Sequence, residues 1–115
     1  MNTDRKLLEL AAKAAGIEYS HAGGYRVIGI GETGLKVMEK FNPADDDGDS
    51  RMLQVACRID LEFAKVNRVP CAVAHSPWDA KGNSQYANET IGADARLAAR
   101  MAVLRCAGMI GEAMK

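Results

Sequence analysis

The segment "ADARLAARMAVLRCAGMIGEAMK", Ala93 to Lys115, constrains the fold more than any other part of the chain. Asp94 is a good N-cap and no proline interrupts the residues after it, so the spacing predicts a long helix. Around its axis Ala95, Ala98, Ala99, Ala102, Ala107, Gly108, Gly111 and Ala113 interleave with Leu97, Met101, Leu104, Met109 and Ile110. Small or apolar side chains therefore point in nearly every direction, the pattern of a helix covered on more than one side. An outer helix of a layered domain is covered on one side only. The surplus then packs on a second copy, with Leu97, Met101, Ala102, Gly108 and Met109 as interface candidates, or it forms an alanine-rich surface.

At 115 residues the chain fits one domain, 1 to 115, with a core of its own. Hydrophobic residues make up 48% and charged residues 26%, which excludes disordered and membrane classes. Fifteen basic and fifteen acidic side chains cancel, so no overall field draws nucleic acid or a membrane surface. No apolar run approaches the ~18 residues of a membrane span, and a cytoplasmic location is expected. Cys57, Cys71 and Cys106 are scattered among apolar residues without a C-x-x-C pair, and read as buried reduced thiols.

Upstream, Asn2 or Thr3 can cap a first helix with Leu7, Leu8, Leu10, Ala11, Ala14 and Ala15 on one side, stopped by Gly16. Next, "YRVIGIGETGLKVMEKF" places Gly29, Gly31 and Gly34 at the spacing of a dinucleotide-binding loop. That motif needs a long helix after its last glycine. Only Leu35 to Phe41 remain before Asn42 and Pro43, and a parallel crossover takes at least about a dozen residues. Two antiparallel strands joined at Glu32 to Gly34 fit better, with glycine free to take positive φ. Phosphate binding at Gly29, Gly31 and Gly34 is kept as the alternative.

The run "NPADDDGD" then opens a second helix, expected from about Asp46 to about Ala64 on the recurrence of Met52, Leu53, Ala56, Ile59 and Phe63. Asp45, Asp47 and Asp49 are candidate ligands for a hard divalent cation. The EF-hand template fails, however, because aligning Gly48 with its invariant glycine puts Pro43 at the first ligand position and Gln54 where a bidentate glutamate belongs. The competing assignment has Asp45 capping the helix while its neighbours favour the positive helix end.

A third strand, "VPCAVAHS", is continuously apolar, and a short edge strand is expected around Gln85 to Thr90 after a turn-rich segment. His75 and Trp78, beside the exit of the third strand, are candidates for a small pocket. Arg96 and Arg100 share a helix face, but no aromatic residues are interleaved with them and nucleic-acid binding is not expected. The order helix, two strands, helix, strand, edge strand, helix gives an α+β domain, with an antiparallel sheet and about three helices in a three-layer α/β/α sandwich.

Three stretches together, "TDRKLLELAAKAAGIE", "FNPADDDGDSRMLQVACRIDL" and "ADARLAARMAVLRCAGMIGEAM", resemble the phage ABA sandwich domain proteins, small products of tailed bacteriophages and prophages. The matching positions are Phe41, Asn42, Pro43, Asp46, Asp47, Gly48, Asp49, Arg51, Leu53 and Val55, then Arg96, Arg100, Ile110 and Gly111. From about Val66 to about Gly92 little matches. The resemblance implies a sheet between helix layers and carries no activity, catalytic residue or cofactor. It leads to the expectation of a non-enzymatic phage accessory protein in the host bacterial cytoplasm, binding a host or phage protein and forming a dimer. The alternative is a small-ligand, nucleotide or metal-binding protein using the glycine loop or the aspartates.

Overall fold

The computed structural model describes residues 5–20, 25–77 and 84–114. Among them the elements run α1 (Arg5–Ala15), β1 (Tyr19–Ser20), β2 (Tyr25–Ile30), β3 (Lys36–Lys40), α2 (Asp47–Ala56), β4 (Asp60–Val66), β5 (Val69–His75), β6 (Tyr86–Thr90) and α3 (Ala95–Ala113). This is the α+β chain with three helices that the element order implies. All strand pairs are antiparallel, and the strands form two three-stranded sheets, β1-β2-β3 and β4-β5-β6.

The first two helices end by the same device. Gly16, at φ 72°, lets its own amide bond to the Lys13 carbonyl and the Ile17 amide to that of Ala12, so the last carbonyls of α1 are satisfied. At the end of α2, Arg58 takes φ 55°, its amide donating to Val55 and that of Ile59 to Gln54. The expected helix to about Ala64 therefore stops at Ala56, and Asp60–Val66 is a strand. An arginine stands where glycine usually closes this motif, so the sequence carries no stop signal there. The β4–β5 turn is equally unmarked: Asn67 and Arg68, at φ 52° and 68°, form a two-residue loop between the paired Val66 and Val69.

Pairing fixes the two faces of the β4–β6 sheet. Leu61, Ala74 and Ala87 form one row and Phe63, Ala72 and Glu89 the next. This face meets α3, and Ala72 and Ala74 are fully buried beneath it. On the other face Asp60, Glu62, Ala64, Tyr86, Asn88 and Thr90 are exposed.

The all-round apolar character of α3 is consumed inside the chain, where the helix packs on α1, α2, β5 and β6 at once. Leu7 meets Gly108, Leu10 meets Gly111, and the Lys13 ammonium donates to the Met114 carbonyl at 3.0 Å. The contacts advance together along both helices, so α1 and α3 run parallel and in step. A Cβ on Gly111 would collide with the Leu10 carbonyl, which makes glycine the side chain that permits this approach. Phe41 and Pro43 are buried beside this core, and Tyr19 meets Phe41 edge-on with ring centroids 5.9 Å apart. The chain thus returns from β3 into the core through Phe41–Asn42–Pro43.

Candidate binding groove

The acidic run is engaged in building the start of α2. Asp46, not Asp45, is the N-cap, its carboxylate accepting from the Asp49 amide at 3.0 Å. Asp49 in turn accepts from the Asn42 amide at 2.8 Å, and Asp45 accepts from the Asn42 side-chain amide at 3.2 Å. Asp47 pairs with the Arg100 guanidinium at 2.6 Å, whose Nε donates to the Ala44 carbonyl at 2.8 Å. The Arg100 side chain is only 13% exposed. It therefore ties the helix start of α2 to α3, a link that a charge-assisted bond strengthens. Asp45 and Asp49 are both bonded to Asn42 and Asp47 to Arg100, and the described residues hold no group of three or more His, Cys, Asp and Glu side chains placed for a metal ion.

The glycine loop is a hairpin turn between β2 and β3. The Gly31 amide donates to the Leu35 carbonyl at 2.8 Å and the Gly34 amide to Gly31 at 3.0 Å, with Gly34 at φ 82°. Amides closing the turn are not aimed at a phosphate. Gly29 lies at a register shift in the β2–β3 ladder, the irregularity that a strand glycine invites.

His75 sits on the open sheet face with Asp60 and Tyr86 on either side, one from each neighbouring strand. Its Nδ1 is 4.0 Å from the Asp60 carboxylate, too far for a hydrogen bond. Trp78 lies outside the described residues. A pocket of about 290 Å³ does open just past β5, lined by Cys57, Ser76, Pro77, Gln85, Ile110 and Met114 among others. His75 does not line it. The Ser76 hydroxyl is already occupied, accepting from the Gln85 amide at 2.8 Å and donating to Pro77. Burial raises the Cys57 thiol, and burial with the Cys57 charge nearby pushes Cys106 up to about 11, so neither is an activated nucleophile near neutral pH.

Of the residues expected at a dimer interface, Ala102 is fully buried and Gly108 is packed against Leu7, so both belong to the core of the chain. Met101 is partly buried. Leu97 and Met109 reach the surface, at 41% and 38% exposure. The reason is geometric: α1, α2 and the sheet occupy faces of α3 that the sequence alone leaves to a second copy or to an alanine-rich surface.

Met109 opens into a groove of about 550 Å³ between α1, α3 and β6. Leu7 and Leu10 form one wall, Tyr86 to Glu89 the other, and Arg105, Gly108 and Met109 the floor. Tyr86 is 59% exposed at its rim. Across the floor Arg105 pairs with Glu89 at 3.2 Å, while Glu112, which also lines the groove, has no cationic partner among the described residues.

The β6 wall is a strand edge. Ser76 donates to Gln85 and Ile91 to Pro70, so with the β5–β6 register the backbone groups of Gln85, Ala87, Glu89 and Ile91 face β5. Those of Tyr86, Asn88 and Thr90 face the opposite way, outward, where no strand pairs with them among the described residues. The sequence places an edge strand at this point in the chain, but its neighbour α1 is far away in sequence and only the tertiary fold brings them together. No helix among the described residues is long and apolar enough to cross a membrane. Set against protein-family models, curated proteins and solved structures, the chain finds no match in any of the three.

Proposed function

We propose that this protein is a non-enzymatic protein-binding module, of the kind small accessory proteins of phages and prophages represent, and that it holds its partner in the groove beside β6. One observation carries the reading: a strand edge with no partner strand among the described residues lies along a recess with apolar side chains at Leu7, Leu10 and Met109. Exposed apolar surface next to unsatisfied main-chain groups is the combination that peptide and protein partners exploit. The competing small-ligand reading loses support because the glycine-loop amides and the aspartates are bonded within the chain.

Affinity capture from phage-infected bacterial lysate, with the wild-type chain and with Met109→Glu, tests this function. A partner retained by the first and lost by the second is the expected result. A nucleotide or divalent ion that raises the melting temperature, with capture indifferent to Met109→Glu, overturns it. Self-association is a second reading, favoured by exposed Leu97 one turn before partly buried Met101. It predicts a dimer in sedimentation that Leu97→Glu dissociates.

A further inference from the structure

Building on the protein-binding reading, we infer that the groove receives one extended segment of a partner chain, which adds to β6 as a further strand and places a lysine or arginine against Glu112. Three features define this occupant. Tyr86, Asn88 and Thr90 present alternating amides and carbonyls along the open edge, the template for an extended backbone. Strand periodicity then sends every second side chain of the added segment to the helix side of the sheet, beside Ala87 and Glu89, where Leu7, Leu10 and Met109 favour apolar residues. The charged lining consists of Glu89, Arg105 and Glu112, and since Arg105 is engaged by Glu89, the uncompensated charge is the Glu112 carboxylate. A basic side chain complements it and an acidic one is repelled.

Leu7 and Leu10 of α1 line the groove across from β6. The opposite edge of the same sheet, β4, differs: its exposed Glu62 and Lys65 are charges of the kind that discourage pairing.

The test uses a fluorescein-labelled, capped octapeptide of alternating valine and threonine with one lysine, the same peptide N-methylated at every second residue, and a version with glutamate replacing the lysine. Asn88→Pro removes an amide that faces outward, so the β5–β6 ladder is retained while the template is broken. Met109→Glu serves as a second variant should the proline unfold the chain. Fluorescence anisotropy is expected to show saturable binding of the lysine peptide to wild type. Binding should weaken about tenfold or more with Asn88→Pro, with Met109→Glu and with N-methylation, as expected when main-chain bonds and apolar contact are lost together. Glu112→Lys should reverse the preference between the lysine and glutamate peptides.

Binding that ignores both Asn88→Pro and N-methylation overturns strand addition. A wild-type dimer that Asn88→Pro converts to monomer assigns the edge to a second copy and overturns the peptide occupant. Failure of wild type to bind any of the peptides, while lysate capture still depends on Met109, sinks the extended-segment proposal and leaves the protein-binding reading in place.

Discussion

Replacing Gly111 by alanine isolates what holds α1 on α3. In an unobstructed helix interior the substitution stabilises, because alanine exceeds glycine in helix propensity by about 1 kcal/mol. Here the added Cβ runs into the carbonyl of Leu10, a backbone atom that cannot rotate aside. To admit it, α1 has to shift outward, loosening Leu7 and Leu10 and the Lys13 bond to Met114. Overpacking of this kind costs about 1–3 kcal/mol, and an obstacle made of backbone belongs at the upper end. Net of propensity, Gly111→Ala should destabilise by about 1–2 kcal/mol. For a chain of 115 residues each kcal/mol moves the melting temperature by about 4 °C, so a fall of about 4–8 °C is expected in a thermal melt. Gly108→Ala provides the internal comparison. Its nearest obstacle is the Leu7 Cδ1, the end of a flexible side chain, so strain and propensity should nearly cancel. A Gly111→Ala protein that melts at or above the wild-type temperature would refute the parallel α1–α3 packing.

Other parts of the fold give equally direct tests. Arg58→Gly relieves a left-handed backbone at an exposed side chain and should raise the melting temperature by about 2–4 °C, a gain of about 0.5–1 kcal/mol; a loss of stability would contradict the α2 closure. Cys106 titrates near 11 when folded against an ordinary value of 9.0, so its stabilising effect is present below pH 9 and is lost as pH rises from 9 through 11. Denaturation at increasing pH should show a decline across that window of roughly 2 to 3 kcal/mol from Cys106, and Cys106→Ala should lessen it, leaving the smaller share of the raised Cys57 thiol. Mg²⁺ or Ca²⁺ should leave the melt unchanged, while Asp47→Asn should lower it equally with and without the ions, because the carboxylate serves Arg100. An ion-dependent shift abolished by Asp47→Asn would return the acidic segment to metal binding.

Signals that act locally were legible in the sequence. Gly16 ends α1, Gly34 takes the positive φ of the hairpin, and Asp94 caps α3 through the Arg96 and Leu97 amides at 3.0 and 3.2 Å. The seven residues before Asn42 and Pro43 left no room for a nucleotide-binding helix, and the amides of the loop are indeed spent on its own turn. Where a residue stands outside its usual preference, local reading failed. Arg58 occupies a glycine position, and Asn67–Arg68 makes a tight turn without glycine, so Ile59 and Phe63 looked like the continuation of a helix when Phe63 in fact pairs with Ala72.

Choosing among Asp45 and its neighbours for the cap required knowing that the first helical turn begins at Asp47. The apolar residues of α3 were recognised, but their partners were not. Coverage by α1 joins residues about a hundred positions apart, and no periodicity within either helix encodes that contact. The groove is hidden for the same reason. Leu10, Asn88 and Glu112 carry no shared motif, and only the step between the end of the sheet and the position of α1 makes them neighbours.

Residue-resolved amide hydrogen exchange along β6 reads whether its outer edge is open to another strand. In the free protein the amides of Ala87 and Glu89, which face β5, should be protected, while those of Tyr86, Asn88 and Thr90 exchange at rates near those of an unstructured chain. Addition of the lysine octapeptide should slow the second set and leave the first unchanged. Uniform protection of all five amides before any peptide is added would mean that the edge is already covered, and would contradict the account.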